Sequence, residues 1–238
     1  EHQSSVTYGN KYMKGYLGRD LSGTVWGLKS DFIIVHESGH EWFANNITYK
    51  DIADMWIHES FTAYSENLFI DYYYGKEASA DYVIGTRKNI QNDRPIIGQY
   101  NVNNEGSGDM YYKGANMLHT LRQLINNDEK WRHILRKMNV TFYHQTVTSK
   151  QIEDYLYQET GINLTEFFNQ YLRDIRIPTL EYSINKKELM TPEKASVTAL
   201  PAIRKEKKAA LIKERVSGNT LEEVSASEGQ AIKTAAAV

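Results

Sequence analysis

Two segments dominate the hydrophobic pattern of the first third of the chain, SDFIIVHESGHEWFAN and DMWIHESFTAYSENLFIDYYY. The first predicts a buried helix over about 29–45, despite the interior Gly39, which costs helix stability. The second predicts an amphipathic helix over 54–74, with Gly75 where a C-terminal stop belongs. Helical spacing recurs over 77–91, 109–126 and 128–139, and a loop around Pro95 interrupts the series. Thr148 with Gln151 forms a capping box for a helix that ends before Gly161. Asn163 with Glu166 forms a second box, for a helix ending near Ile175.

Outside these helices the pattern changes. Residues 1–9 are short and β-prone and predict a strand that Gly9 ends. The five glycines among aromatics in 9–27 predict a long irregular loop, and their spacing matches no phosphate-binding pattern. The segment RIPTLEYSI (176–184) alternates like a strand, with Pro178 suited to its edge or start. Lys, Glu and Ala dominate 193–215, and 216–238 is small and polar. The expected organisation is a packed body over 1–184 and a weakly structured tail over 185–238.

Composition narrows the chemistry. With 41% hydrophobic residues the chain can bury a sizeable core, which excludes disorder of the whole. A formal charge of −2 gives no field that points to nucleic acid or an anionic membrane. There is no cysteine, so disulfides, thiol catalysis and thiolate ligands are excluded, and any metal must be held by imidazole and carboxylate. No stretch reaches the roughly eighteen apolar residues of a membrane span. The opening residues EHQSS are polar and do not read as a signal peptide, which leaves the compartment open between cytoplasm and export.

His36-Glu37-Ser38-Gly39-His40 puts two histidines at i and i+4 on a predicted helix, so both imidazoles can reach one ion. Glu37 is rotated by about 100° from His36 and is placed to take a proton from water instead of ligating. Such a pentapeptide arises by chance on the order of one time in a hundred in a chain of this kind, so alone it does not decide. A pair of partly buried histidines beside a solvated Glu would also produce it. Catalytic zinc takes three protein ligands and keeps a fourth position open. Glu59 lies on the second predicted helix among Trp56, Ile57 and Phe61, where an unpaired carboxylate is costly. A turn between the two helices would bring it back to face the imidazoles. His36, His40 and Glu59 are therefore the candidate metal ligands.

HESGHEWFANNIT and MWIHESFTAYSE, with eighteen residues between His40 and Glu59, resemble the zinc aminopeptidases of the aminopeptidase N and leukotriene hydrolase family. The resemblance implies a mainly α fold: the thermolysin-like helical half of a zinc peptidase catalytic domain, with a short N-terminal edge strand. It implies one Zn2+ per chain and Glu37 as general base. Tyr111-Tyr112-Lys113-Gly114 is similar to the family's Tyr-x-Lys-Gly motif, which implies that Tyr111 stabilises the oxyanion. Glu1-His2-Gln3 looks like the end of the family's Gly-x-Met-Glu-Asn motif, which implies that Glu1 binds the substrate's free amino terminus. Ser60 stands where the family usually has Gly. By the same resemblance, an amino-terminal β domain and most of the catalytic sheet would precede residue 1. The implied function is hydrolysis of the N-terminal peptide bond of peptides. A gluzincin endopeptidase, a lipid-epoxide hydrolase and a non-catalytic zinc-binding scaffold stay open as alternatives.

Overall fold

A computed structural model describes residues 1–177. Within them, Glu1–Arg176 forms one compact unit. The expected strand over 176–184, beyond its first two residues, and the expected tail over 185–238 lie outside the described residues.

The unit is built mainly of helices. Asp31 starts α1 (Phe32–Gly39) by accepting the Ile34 N–H, which satisfies one of the amides a helix start leaves unpaired. The helix is shorter than the 29–45 expected from the apolar run. After Gly39 the bonding ladder loses its period: Trp42 N–H reaches back three residues to Gly39, and Asn45 N–H reaches five to His40. The cause is local. The Phe43 carbonyl is taken by the side chains of His40 and Thr62, so the segment turns instead of continuing as a helix.

The turn leads into β1 (Ile47–Tyr49) and then α2 (Trp56–Tyr74), the central helix. Twelve of its residues are buried, and α1, α3 and α4 all pack on it. It stops at Gly75, whose φ of 91° is open to glycine and unfavourable to other residues. The remaining helices are α3 (Lys76–Thr86), α4 (Tyr112–Ile125), α5 (Asp128–Thr141), α6 (Ser149–Thr160) and α7 (Thr165–Phe168). The expected capping box at Thr148 and Gln151 is present at the head of α6. The one at Asn163 and Glu166 is not: Asn163 accepts from Thr165 N–H two residues on, Leu164 caps α7, and α7 passes into a π-turn over Asn169–Arg173.

Strands among the described residues are β1 and β2 (Gln145–Val147), paired in parallel with Ile47 opposite Gln145 and Tyr49 opposite Val147. The expected N-terminal strand over 1–9 does not form. That stretch is largely exposed, closes on itself through Ser5 N–H to the His2 carbonyl, and has no strand beside it to share a ladder. Residues 10–25 are irregular, as the glycines predict, apart from isolated bridges.

Aromatic rings anchor the core. Phe61 stacks on Phe43 at 4.8 Å and on Trp56 at 6.0 Å, and Trp131 meets Tyr64 edge-on at 6.0 Å. The polar ends of both tryptophans are satisfied, by Ser149 Oγ and by the Tyr64 hydroxyl. Among the described residues no helix is long and apolar enough to cross a membrane.

Candidate metal centre

His36 sits in the last turn of α1, His40 caps that helix, and Glu59 lies in the opening turn of α2. All three are buried. Gly39 allows this approach, because a Cβ there would stand 3.1 Å from Thr62 and 3.2 Å from Ser65 of α2. The Nε2 atoms of His36 and His40 lie 3.4 and 3.6 Å from Glu59 Oε2. A tetrahedral zinc with donors at about 2.0–2.1 Å sets its donor atoms about 3.4 Å apart, so these separations are the edges such a site requires. Among the described residues this is the one group of three or more His, Cys, Asp or Glu able to share an ion.

The hydrogen bonding fits the same conclusion. Glu59 Oε2 is buried without a hydrogen-bond partner, which is costly for a carboxylate oxygen unless a cation meets it. His36 Nδ1 donates to Glu66 Oε1 at 2.8 Å, and His40 Nδ1 donates to the Phe43 carbonyl at 3.1 Å. Both Nε2 atoms are therefore directed to the shared point, the arrangement in which an outer partner orients a metal-binding imidazole. Burial alone would lower the His36 pKa, but Glu59 and Glu66 on its two sides outweigh it and hold it at about 10. The pocket is built for positive charge. His40 is lowered by burial, only partly offset by Glu59. These residues fit zinc by donor type, burial and spacing.

The other expected residues surround this group. Glu37 lies on α1 outside the three-donor set, with its side chain 20% exposed, and pairs with the amino group of Glu1. Tyr111 caps α4, with its ring 5.9 Å from that of His36. Burial, and then the Glu59 carboxylate, push its pKa well up, so it stays protonated as a donor. Tyr112 is also raised by burial, but the charges that act on it are Glu66 and Arg19, away from Glu37 and Glu1. Glu1 reaches the centre although it lies on no strand: its carboxylate accepts from His58 Nδ1 at 2.8 Å.

Several partners escaped sequence reasoning. Glu66 orients His36 and in turn accepts from the Tyr82 hydroxyl at 2.6 Å. It follows Glu59 by seven residues on the same helix face, a signal that was available. His58 accepts the Tyr49 N–H on Nε2 at 3.1 Å, which leaves Nδ1–H to point at Glu1. Thr62 flanks His40 Nδ1 at 3.1 Å. For His58 and Thr62 no sequence pattern announces the role, because their partners lie on other elements and segments of the chain.

Comparison with known proteins agrees with this architecture. The family model described as the peptidase family M1 domain matches residues 27–171. Leukotriene A-4 hydrolase of Xenopus laevis is 27% identical over 138 residues, which cover 52% of this chain and 23% of that protein. Endoplasmic reticulum aminopeptidase 1 of Mus musculus is 26% identical over 124 residues, 48% of this chain and 13% of that protein. The chain thus spans under a quarter of the length of these curated relatives. An M1 zinc metallopeptidase from Deinococcus radiodurans, a mutant bound to a Tyr-Ser-Ala substrate, shares the fold with a TM-score of 0.53. It is 22% identical, and the match covers 64% of this chain and 35% of that one. With the family model matching more than half of its residues around a buried two-histidine, one-glutamate centre, the chain belongs to peptidase family M1.

Proposed function

We propose that this chain carries the active site of a zinc-dependent aminopeptidase, which hydrolyses the N-terminal peptide bond of peptides with a free amino terminus. One observation carries the reading: two imidazole Nε2 atoms converge on a buried carboxylate oxygen that has no hydrogen-bond partner. His36, His40 and Glu59 would hold the zinc, which when bound would supply Lewis acidity toward a scissile carbonyl and a water nucleophilic near neutral pH.

The remaining steps belong to the chain's own side chains. Glu37, beside the ligands and partly open, takes the proton of the attacking water and returns it to the leaving amine. Tyr111, protonated and close to Glu59, donates to the oxygen that gains charge in the transition state. Glu1 offers a carboxylate to the substrate ammonium and is oriented by His58.

The deciding experiment pairs elemental analysis with turnover of a small aminoacyl amide. About one zinc per chain, and turnover abolished by chelation and restored by zinc, is the expected outcome. Zinc without turnover would favour a binding scaffold. A second reading, lipid-epoxide hydrolysis, is favoured by the relative named leukotriene A-4 hydrolase. Turnover of an allylic epoxide with none of the amide would select it.

A further inference from the structure

Ser60 follows Glu59 on α2, yet its side chain turns away from the candidate metal centre. It is completely buried, and its Oγ donates to the Met110 carbonyl at 2.7 Å. Met110 immediately precedes Tyr111. Across from Ser60 stands Gly114, where a Cβ would lie 1.9 Å from Ser60 Oγ and 2.6 Å from its Cβ. The central helix and α4 therefore meet through a serine fitted against a glycine in the first turn of α4. The hydroxyl has a single proton, and it is spent on that carbonyl.

A peptide unit is planar and stiff, so its carbonyl and the following N–H move together. Holding the Met110 carbonyl fixes the plane that carries the Tyr111 nitrogen, and with it the direction in which the Tyr111 side chain leaves the backbone. We propose that Ser60 is a positioning residue for Tyr111: it ties the ligand-bearing turn of α2 to the residue that donates to the oxyanion. Glu59 and Ser60 are adjacent, as are Met110 and Tyr111, so this hydrogen bond ties the metal ligand directly to the donor across the two helices, on a peptide whose N–H is held separately by the Gly108 carbonyl. The proposal rests on the reading of Glu59 as ligand and Tyr111 as donor. Loss of this bond leaves both side chains chemically intact and lets the second drift, and a misplacement of about 1 Å can cost on the order of a hundredfold in rate.

The test compares Ser60→Ala, Tyr111→Phe and the double variant on a small aminoacyl amide. Zinc content, KM and the affinity for an aminophosphonate transition-state mimic are measured alongside. Tyr111→Phe should lower kcat about a hundredfold, as loss of one oxyanion donor does. Ser60→Ala should lower kcat about tenfold and weaken the phosphonate by a similar factor, with zinc content and KM within about twofold of wild type. The double variant should be no slower than Tyr111→Phe, since a positioning residue has nothing left to position. Wild-type kcat in Ser60→Ala, or a double variant slowed by the product of the two effects, overturns the proposal. Wild-type turnover in Tyr111→Phe instead overturns the donor assignment, and that single variant tells the two failures apart.

Packing is separated from hydrogen bonding by Ser60→Gly combined with Gly114→Ala, which moves the filled volume from α2 to α4 and removes only the hydroxyl. Near wild-type thermal stability with kcat as low as in Ser60→Ala is expected. Wild-type kcat in that pair overturns the proposal.

Discussion

Glu59 is the one anion among the three proposed donors, and its Oε2 has nothing else to bond. Glu59→Gln keeps the shape and removes the charge, so zinc affinity should fall by at least about tenfold, the scale at which even outer-partner changes act. Equal zinc content in wild type and variant after mild chelation would place Glu59 outside the coordination sphere. Glu37 makes the opposite contrast. Glu37→Gln should retain zinc and lose about a hundredfold or more in kcat, because an amide holds water but does not take its proton. A variant keeping a tenth of the wild-type rate would exclude Glu37 as the base. At this scale the sequence was most legible where chemistry imposes a spacing. His36 and His40 had to be one helical turn apart to share an ion. Glu66 was legible in principle, two turns beyond Glu59. His58 and Ser60 were not, because each bonds to a segment remote in sequence, the Glu1 carboxylate and the Met110 carbonyl.

Helix ends were readable wherever a side chain or a glycine enforces them. Gly75 stops α2, and the Thr148–Gln151 box opens α6. The end of α1 was not readable, since it depends on Thr62, from another helix, taking the Phe43 carbonyl. The N-terminal strand failed for a related reason, because a β-prone stretch needs a neighbour and periodicity cannot supply one. Helix α4 carries a titration of its own. His119 is buried between the side-chain amides of Asn67 and Gln123, and burial, then Arg122 and Arg87, bring its pKa down to about 4. A depressed histidine pKa means that the unfolded chain takes up the proton first. This residue therefore costs nothing above about pH 6.5, costs progressively more as pH falls, and levels off near pH 4. The full penalty is about 3 kcal/mol. Urea unfolding between pH 7.5 and 4 should show a steeper loss of stability for wild type than for His119→Gln. Parallel curves would show that His119 is not the group responsible.

For the whole molecule the question is what confines cleavage to a chain end. A metal centre with a general base attacks any peptide bond that enters it, so exopeptidase action requires a second fixed point, at the substrate's ammonium. In the proposed reading Glu1 is the carboxylate for that task. Its pKa is held below the usual carboxylate range, first by the hydrogen bond from His58, against the effect of burial, so it is charged at neutral pH. His58 is itself held by the Tyr49 amide of β1, which makes the anchor part of the same framework that carries Glu59. With 37% of its side chain exposed, Glu1 can meet a ligand while keeping that bond. An ammonium on this carboxylate forms a charge-assisted hydrogen bond, whereas an acetylated amine has neither the charge nor the spare protons. A short peptide with a free amino terminus should therefore be cleaved at its first bond, and its acetylated form should be cleaved at least about a hundredfold more slowly, the cost expected when one fixed orientation is lost. Glu1→Gln should lose most activity on the free peptide and narrow the gap between the two substrates. Product analysis by mass spectrometry reads both the rate and the bond cut. Equal cleavage of the two peptides by the wild type, or cuts at internal bonds, would remove Glu1 as the anchor and make the protein an endopeptidase.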